Sequence, residues 1–481
     1  MNEQVNMSAT VHPDRNILTE YSFPIKPPFK AFHVQKQTAR MLTEHQRGYV
    51  LNGIGTGKTL CSLWAYDYLR TLGVVNKLLI VAPLSTLMRT WAKEIITNLP
   101  HLRYKILHGA KVRRLTQLEA NVDVYIINHH GLNIISNELL VRPDIDIICV
   151  DELSVFRNGQ SKTLTIPLKK YIKHKVWAWG LTGSPCPRAV TDVWGQASCI
   201  TPWSIPPYFS HLRSELMIQR GPFGWDAKPG AVEKAIKCLS PSVRYKLSDV
   251  TEIPDQQLLY YEAELTNQQK DAYEQMSRTA VAMVRDNVID AMNAGAVLSK
   301  LLQIALGYVY KRDGTIVQLD NTPRLQMTVD LIDACAEKVI LFAPFKSAIN
   351  GLHRILESNN IKHFLIHGDV SPKQRVEIYN VFQDNPNDDR KVLIAHPGTM
   401  SHGLTLTAAT TTIWLGPITN LELFFQANGR TKRIGQNHKT LVAMVGGTAR
   451  ERRLYKLLGN NERIQNRFLE LIEMETELKY K

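Results

Sequence analysis

The feature that most constrains this chain is the loop Gly53-Ile54-Gly55-Thr56-Gly57-Lys58-Thr59. A short apolar run, Tyr49–Leu51, precedes it, and Leu60, Leu63, Trp64 and Tyr68 follow at helical spacing until Gly73 supplies a stop. Strand, glycine-rich loop and helix in that order leave few folds open. Glycines let backbone N–H groups close on phosphate oxygens, and a helix N-terminus adds a favourable dipole. In such a loop Lys58 reaches the β- and γ-phosphates, and the Thr59 hydroxyl can ligate Mg2+. The common G-x-x-x-x-G-K-[ST] form has glycine where this chain has Asn52. Nucleotide binding by Gly53, Ile54, Gly55, Thr56, Gly57, Lys58 and Thr59 is the expectation.

The surrounding texture supports an α/β fold. Lys77–Ala82, Val122–Ile127, Ile145–Val150 and Lys175–Leu181 read as buried strands, with Ser85–Thr97 as a helix. Apolar strands separated by helix-length segments predict a mostly parallel sheet with helices on both faces. The alternation stops at about 200, where Pro202, Pro206, Pro207, Pro222 and Pro229 lead into a mainly helical stretch with a capping box at Thr266-x-x-Gln269.

It resumes with strands at Lys338–Ala343, His363–His367, Lys391–His396, Thr411–Leu415 and Leu441–Val445. Helices are read at Ala348–Glu357, Ser371–Phe382 and Leu421–Asn428, the second opening on a capping box at Ser371-x-x-Gln374, and Thr448-x-x-Glu451 similarly opens a basic C-terminal helix. The expected layout is an N-terminal arm over 1–30, a first lobe over 31–200, a helical insertion over 201–325, a second lobe over 326–447 and a basic helix over 448–481.

The 481 residues are enough for two to four domains at roughly 100–200 residues each. Six scattered cysteines, with no C-x-x-C pair, suggest neither a disulfide framework nor a zinc site. The apolar runs fall far short of the roughly 20 residues of a spanning helix, and the polar start Met1–Asn6 lacks the look of a leader. A cytoplasmic, reducing setting is the expectation. With 58 Lys and Arg against 44 Asp and Glu, the formal charge is +14, which favours a polyanionic partner such as nucleic acid over a membrane surface.

Two further groups carry chemistry. Ile147-Ile148-Cys149-Val150-Asp151-Glu152 is an apolar strand ending in adjacent carboxylates. Behind a phosphate loop, Asp151 can hold Mg2+ and Glu152 can orient and deprotonate the attacking water. Late in the chain, Gln426-Ala427-Asn428-Gly429-Arg430-Thr431-Lys432-Arg433-Ile434-Gly435-Gln436 places two arginines three apart. A phosphoryl-transfer transition state gains from a guanidinium brought in by another domain. His129-His130, Trp177, Trp179 and Trp225 read as packing residues, since none has the partners that metal binding or base stacking needs.

In order along the chain, several segments resemble superfamily 2 helicase motifs: Gly53–Thr59, Ile80–Ser85 with Trp91, Asp151-Glu152, Leu181–Pro185, His367-Gly368-Asp369 with Arg375, Gly403–Leu406 and Gln426–Gln436. Ala82-Pro83-Leu84-Ser85 with Trp91, Arg157-Asn158, Ser161-Lys162-Thr163 and Arg433–Gln436 narrow the resemblance to the Swi/Snf-type ATP-dependent DNA translocases. Arg244, Lys246, Asp249, Gln268-Gln269, Tyr273 and Leu302-Gln303-Ile304 with Gly307 echo the same family. The chain departs from the family pattern at Ser154, Leu302, Thr405 and Gly429.

The resemblance implies two tandem RecA-like lobes with a mainly helical insertion, and catalytic roles for Lys58, Glu152, Arg430 and Arg433. It implies that Gln35, with Gln37 close enough to compete, reads adenine, and that Thr59 and Asp151 hold the metal. Thr182, Ser184 and Gln426 would couple hydrolysis to lobe movement, and Ser85, Thr86, His129, Gly368 and Thr399 would lie near the nucleic acid. The implied activity is ATP hydrolysis that moves the protein along DNA, duplex or forked, with RNA as a second candidate substrate, in replication, recombination or repair. Strand separation and an ATP-gated recruitment module are the rival readings.

Overall fold

The computed structural model describes residues 15–27, 29–220, 224–250, 254–285, 291–311, 313–385, 387–400, 405–433 and 435–458. The chain divides into two compact units between residues 252 and 253.

The first unit is built on seven strands, every neighbouring pair parallel. Their order is Tyr104–Leu107, Val124–Asn128, Lys77–Ala82, Ile145–Asp151, Trp177–Leu181, Arg47–Val50 and Ser242–Val243. Side chains alternate across the sheet, so Leu78 and Ile80 enter one core with Leu63, Trp64 and Trp91, while Leu79 and Val81 enter the other with Tyr125 and Phe156. Each such aliphatic side chain contributes about 1.5–3 kcal/mol on burial, which explains why the strands read as unbroken apolar runs.

In the second unit six parallel strands follow the order Gln256–Glu262, Thr440–Gly446, Ala409–Trp414, Lys338–Phe342, Val392–Ala395 and His363–Ile366. Val339 and Leu341 face one core, Ile340 and Phe342 the other. Two parallel sheets with flanking helices are therefore the architecture, as the alternation of apolar strands and helices predicts.

The stretch 201–325 contains helices Phe209–Leu216, Ala231–Cys238, Asn267–Arg285 and Ala291–Ala305. It also supplies two antiparallel hairpins, Met217–Arg220 with Gly224–Ala227 and Tyr308–Tyr310 with Ile316–Gln318. Each large sheet takes an outer strand from it, Ser242–Val243 in the first and Gln256–Glu262 in the second.

All three N-cap hydrogen bonds form. Gln269 N donates to Thr266 Oγ1 at 3.4 Å, Gln374 N to Ser371 Oγ at 3.3 Å and Glu451 N to Thr448 Oγ1 at 3.1 Å. The last opens a helix over 449–458; the remainder of the expected basic helix lies outside the described residues. No helix among the described residues is long and apolar enough to cross a membrane.

Candidate functional site

In a fully parallel sheet every strand ends at the same edge, and that edge collects the loops able to bind a ligand. In the first unit the segments after Val50, Ala82, Asn128, Asp151 and Leu181 all leave from it. They carry the phosphate loop, Ser85 and Thr86, His129, Glu152, and Thr182 with Ser184.

The phosphate loop is set by two glycines at positive φ, Gly55 at 85° and Gly57 at 83°, the latter capping helix Lys58–Thr71. Lys58 Nζ donates to the carbonyls of Asn52 at 2.9 Å and Gly53 at 3.0 Å, so the amine lies across the mouth of its own loop. Gln35, on helix His33–Glu44, donates from Nε2 to Thr56 O at 3.2 Å and accepts at Oε1 from Phe32 N at 3.0 Å. The structure thus brings Gln35, rather than Gln37, onto the loop. Gln37 Nε2 instead faces His33 Nε2 at 3.4 Å.

Asn52, visible in sequence only as a departure from glycine, is a tether. Buried, it donates from Nδ2 to Thr38 Oγ1 at 2.8 Å and accepts at Oδ1 from Tyr245 N at 2.9 Å. Gly53 N donates to Tyr245 O at 2.9 Å, and Arg244 Nη1 to Leu51 O at 2.7 Å. The loop is therefore fixed from one side by the Gln35 helix and from the other by the 242–245 segment. A polar residue where the common loop has glycine was its one trace in the sequence.

Asp151 ends its strand with both carboxylate oxygens engaged: Oδ2 accepts from Trp91 Nε1 and Oδ1 from Glu152 N, each at 3.0 Å. Burial raises its pKa above the usual carboxylate range, while the Trp91 N–H, the Lys58 charge and the Glu152 N–H each pull it down. Glu152 itself sits at φ 52°, ψ 53°, a left-handed conformation that costs a non-glycine residue of order 1–3 kcal/mol and is typical of sites where a side chain is aimed.

His129 is buried against Phe156, with ring centroids 5.2 Å apart, and its Nε2–H donates to Asp151 O at 2.8 Å. Burial pushes the imidazole pKa down to about 4, so the ring is neutral near pH 7. Thr86 is likewise buried, its hydroxyl donating to Pro83 O at 2.9 Å. Neither side chain is presented at the surface, whereas Ser85 is half-buried. Thr182 Oγ1 accepts from Ser184 N at 3.1 Å, and a Cβ on the intervening Gly183 would lie 3.8 Å from Lys58 Nζ, which sets this turn beside the phosphate loop.

The second unit holds the remaining candidates in two places. Gly368 and Thr399 follow the ends of strands His363–Ile366 and Val392–Ala395. Gly368 is exposed, and Thr399 Oγ1 donates to His396 O at 2.7 Å. Gln426 lies buried on helix Leu421–Asn428, and Arg430 and Arg433 are in the turn beyond it.

That turn packs on residues 405–409. Leu406 N donates to Arg430 O at 3.0 Å, Arg433 Nη1 to Thr405 Oγ1 at 3.3 Å, and Gln436 Nε2 to three carbonyls, those of Thr407, Ala409 and Thr431. Burial, and then the like charge of Arg430, disfavour the Arg433 cation. Gly403, Leu404 and Ile434 lie outside the described residues.

This arrangement coincides with the sequence's likeness to known proteins. The SNF2-related domain matches residues 34–307, and the helicase conserved C-terminal domain matches residues 324–435. The chain belongs to the Swi/Snf-type family of superfamily 2 helicases.

It is 24% identical over 416 residues to an uncharacterized ATP-dependent helicase of Mycoplasma genitalium, covering 84% of this chain and 38% of that protein. It is 26% identical over 386 residues to protein p41 of Acyrthosiphon pisum secondary endosymbiont phage 1, covering 76% and 80%. With the SWI/SNF-related matrix-associated actin-dependent regulator of chromatin subfamily A-like protein 1 of Xenopus laevis it shares 23% over 431 residues, covering 85% and 41%. The chain thus spans about two fifths of the Mycoplasma and Xenopus proteins. Among solved structures, the Sulfolobus solfataricus SWI2/SNF2 ATPase core in complex with dsDNA aligns over 95% of this chain and 96% of that one, at 21% identity and a TM-score of 0.41.

Proposed function

We propose that the protein is an ATP-driven motor that tracks along duplex DNA, with hydrolysis at the sheet edge of the first unit. The observation that carries this reading is the gathering of Lys58, Asp151, Glu152 and the Thr182–Ser184 turn at one parallel-sheet edge, in a chain of the Swi/Snf-type family. In this reading the glycine-rich loop wraps the triphosphate with its N–H groups, and Lys58 exchanges its two carbonyl partners for the β- and γ-phosphates. Gln35, already fastened to the loop, reports on the adenine.

The donor set fits Mg2+. The Thr59 hydroxyl and the Asp151 carboxylate are hard oxygen ligands. Among the described residues no cluster of three or more His, Cys, Asp or Glu side chains could hold a metal ion, so phosphate oxygens and water would complete the shell. When bound, Mg2+ neutralises charge that develops on the phosphates. Glu152 orients the water and takes its proton, and Arg430 and Arg433 stabilise the charge that develops on the γ-phosphate. Thr182, Ser184 and Gln426 pass the change in phosphate occupancy to the lobes.

Contact with the nucleic-acid backbone falls to Ser85, Gly368 and Thr399, while the inward-turned Thr86 and His129 shape the edge behind them. The excess of 14 positive charges supports backbone binding that weakens with salt.

The test is steady-state ATP hydrolysis at fixed low salt with no nucleic acid, single-stranded DNA, duplex DNA, forked DNA or RNA, with Glu152→Gln beside the unaltered chain. Strong stimulation by duplex DNA, lost in Glu152→Gln, is the expected result. Stimulation by single strands or RNA alone points to a strand-separating helicase, and no Glu152-dependent hydrolysis points to a recruitment module.

A further inference from the structure

Trp91 takes part in the family resemblance, yet the reaction outlined above gives it no task. The segment expected as one helix over Ser85–Thr97 is in fact a π-helical turn, Leu87–Ala92, followed by an α-helix, Lys93–Asn98. Thr86 O accepts from both Thr90 N at 3.0 Å and Trp91 N at 3.1 Å, so a residue is inserted into the turn just before the tryptophan. An inserted residue rotates the later side chains about the helix axis, and such turns occur frequently at functional sites. Here the rotation carries Trp91 into the core, fully buried, with its single polar atom on Asp151 Oδ2.

We propose that Trp91 is a positioning residue for the metal site: its indole N–H orients the Asp151 carboxylate for the Mg2+ of the nucleotide complex. The inference rests on reading Asp151 as a metal ligand. With Oδ2 held by Trp91 and Oδ1 by Glu152 N, the plane of the carboxylate is fixed, and each oxygen keeps lone-pair capacity for a cation. Outer partners of ligating carboxylates commonly tune metal affinity in this way.

The experiment uses the full chain carrying Glu152→Gln, so that nucleotide is bound without being consumed. The fluorescent N-methylanthraniloyl derivative of ATP is the probe, and its binding is followed across a Mg2+ titration. Adding Trp91→Phe removes the N–H and keeps an aromatic ring. The half-saturating Mg2+ concentration should rise at least about tenfold, with probe affinity at saturating Mg2+ changing by no more than about twofold.

Trp64→Phe is the control: Trp64 is equally buried in the same core and donates its own indole N–H to Pro24 O at 2.9 Å, away from Asp151. It should lower the thermal midpoint as Trp91→Phe does and leave the Mg2+ dependence alone. Trp91→Met, which likewise has no polar hydrogen, serves if the Phe variant does not fold.

An unchanged Mg2+ half-saturation in the folded Trp91 variant, or an equal shift in Trp64→Phe, would overturn the proposal. Probe binding with no Mg2+ dependence in the Glu152→Gln parent is a different result: the metal reading of Asp151 then fails, and the role of Trp91 falls with it.

Discussion

At the scale of single residues, Gly57 shows how closely the nucleotide loop is fitted. Its φ of 83° is left-handed, and a Cβ built there would lie 2.2 Å from Gln35 Nε2. Gly57→Ala therefore adds left-handed strain of about 1–2 kcal/mol and drives the glutamine off Thr56 O. Binding of the fluorescent ATP analogue should weaken at least about tenfold, since 1.4 kcal/mol is a factor of ten, while the chain still unfolds cooperatively. Wild-type affinity in this variant would contradict the geometry.

Lys58, Thr59 and the Asp151–Glu152 pair could be picked out as candidates from the sequence because they stand in contiguous motifs. The grip of Trp91 on Asp151 could not, since it joins residues far apart in the chain through a π-helical turn that hydrophobic spacing does not reveal. The reading of His129 as a packing residue agrees with its burial against Phe156 and its bond to the Asp151 carbonyl, whereas the family resemblance would set it near nucleic acid.

At the scale of elements, the second unit is locked by a buried ion pair. Arg324, on helix Thr322–Asp333, and Glu451, on the final described helix, are 2% and 0% exposed at their side chains and meet at 2.9 Å between Nη1 and Oε1. Arg324 Nη1 also donates to Leu415 O at 2.7 Å, and Glu451 Oε2 accepts from Gly447 N at 2.9 Å. Glu451→Ala strands a buried guanidinium and removes a helix cap, so denaturant unfolding should report a loss of about 3–5 kcal/mol. A loss under about 1 kcal/mol, the range of an exposed pair, would show that the site is solvated.

A second element-scale expectation concerns His396, which opens the turn Pro397–Thr399. Its Nδ1 accepts from Gly398 N and its Nε2–H donates to Pro344 O, both at 3.1 Å, so only the neutral ring satisfies both partners. Burial lowers its pKa, the Pro344 bond opposing in part. Below the ordinary histidine value of about 6.5 the unfolded chain takes up a proton that the folded ring resists, so stability present above that pH is lost as pH falls through the folded pKa. The thermal midpoint should thus drop less between pH 7.5 and 5.5 in His396→Asn than in the unaltered chain; equal drops would exclude His396 as a contributor.

The apolar central strands and the three helix N-caps could be read in advance because burial on two faces and local hydrogen bonding leave plain patterns. The outer strands could not. Ser242–Val243 is too short to carry a period, and Gln256–Glu262 is exposed or half-buried along its length, so it lacks the apolar run that marks an interior strand.

For the whole molecule, the proposed nucleotide site lies on the first unit and the paired arginines lie on the second, within a chain of formal charge +14. The motor proposed above would move along an intact duplex, and movement can be separated from both hydrolysis and strand separation. The most direct measurement is displacement of a triplex-forming oligonucleotide annealed to one end of a long duplex, followed as released third strand. The account predicts release that requires ATP, leaves the duplex strands paired, weakens as salt rises, and disappears in Lys58→Ala and Glu152→Gln. Duplex-stimulated ATP hydrolysis with no third strand released, or release that persists in Lys58→Ala, would contradict it.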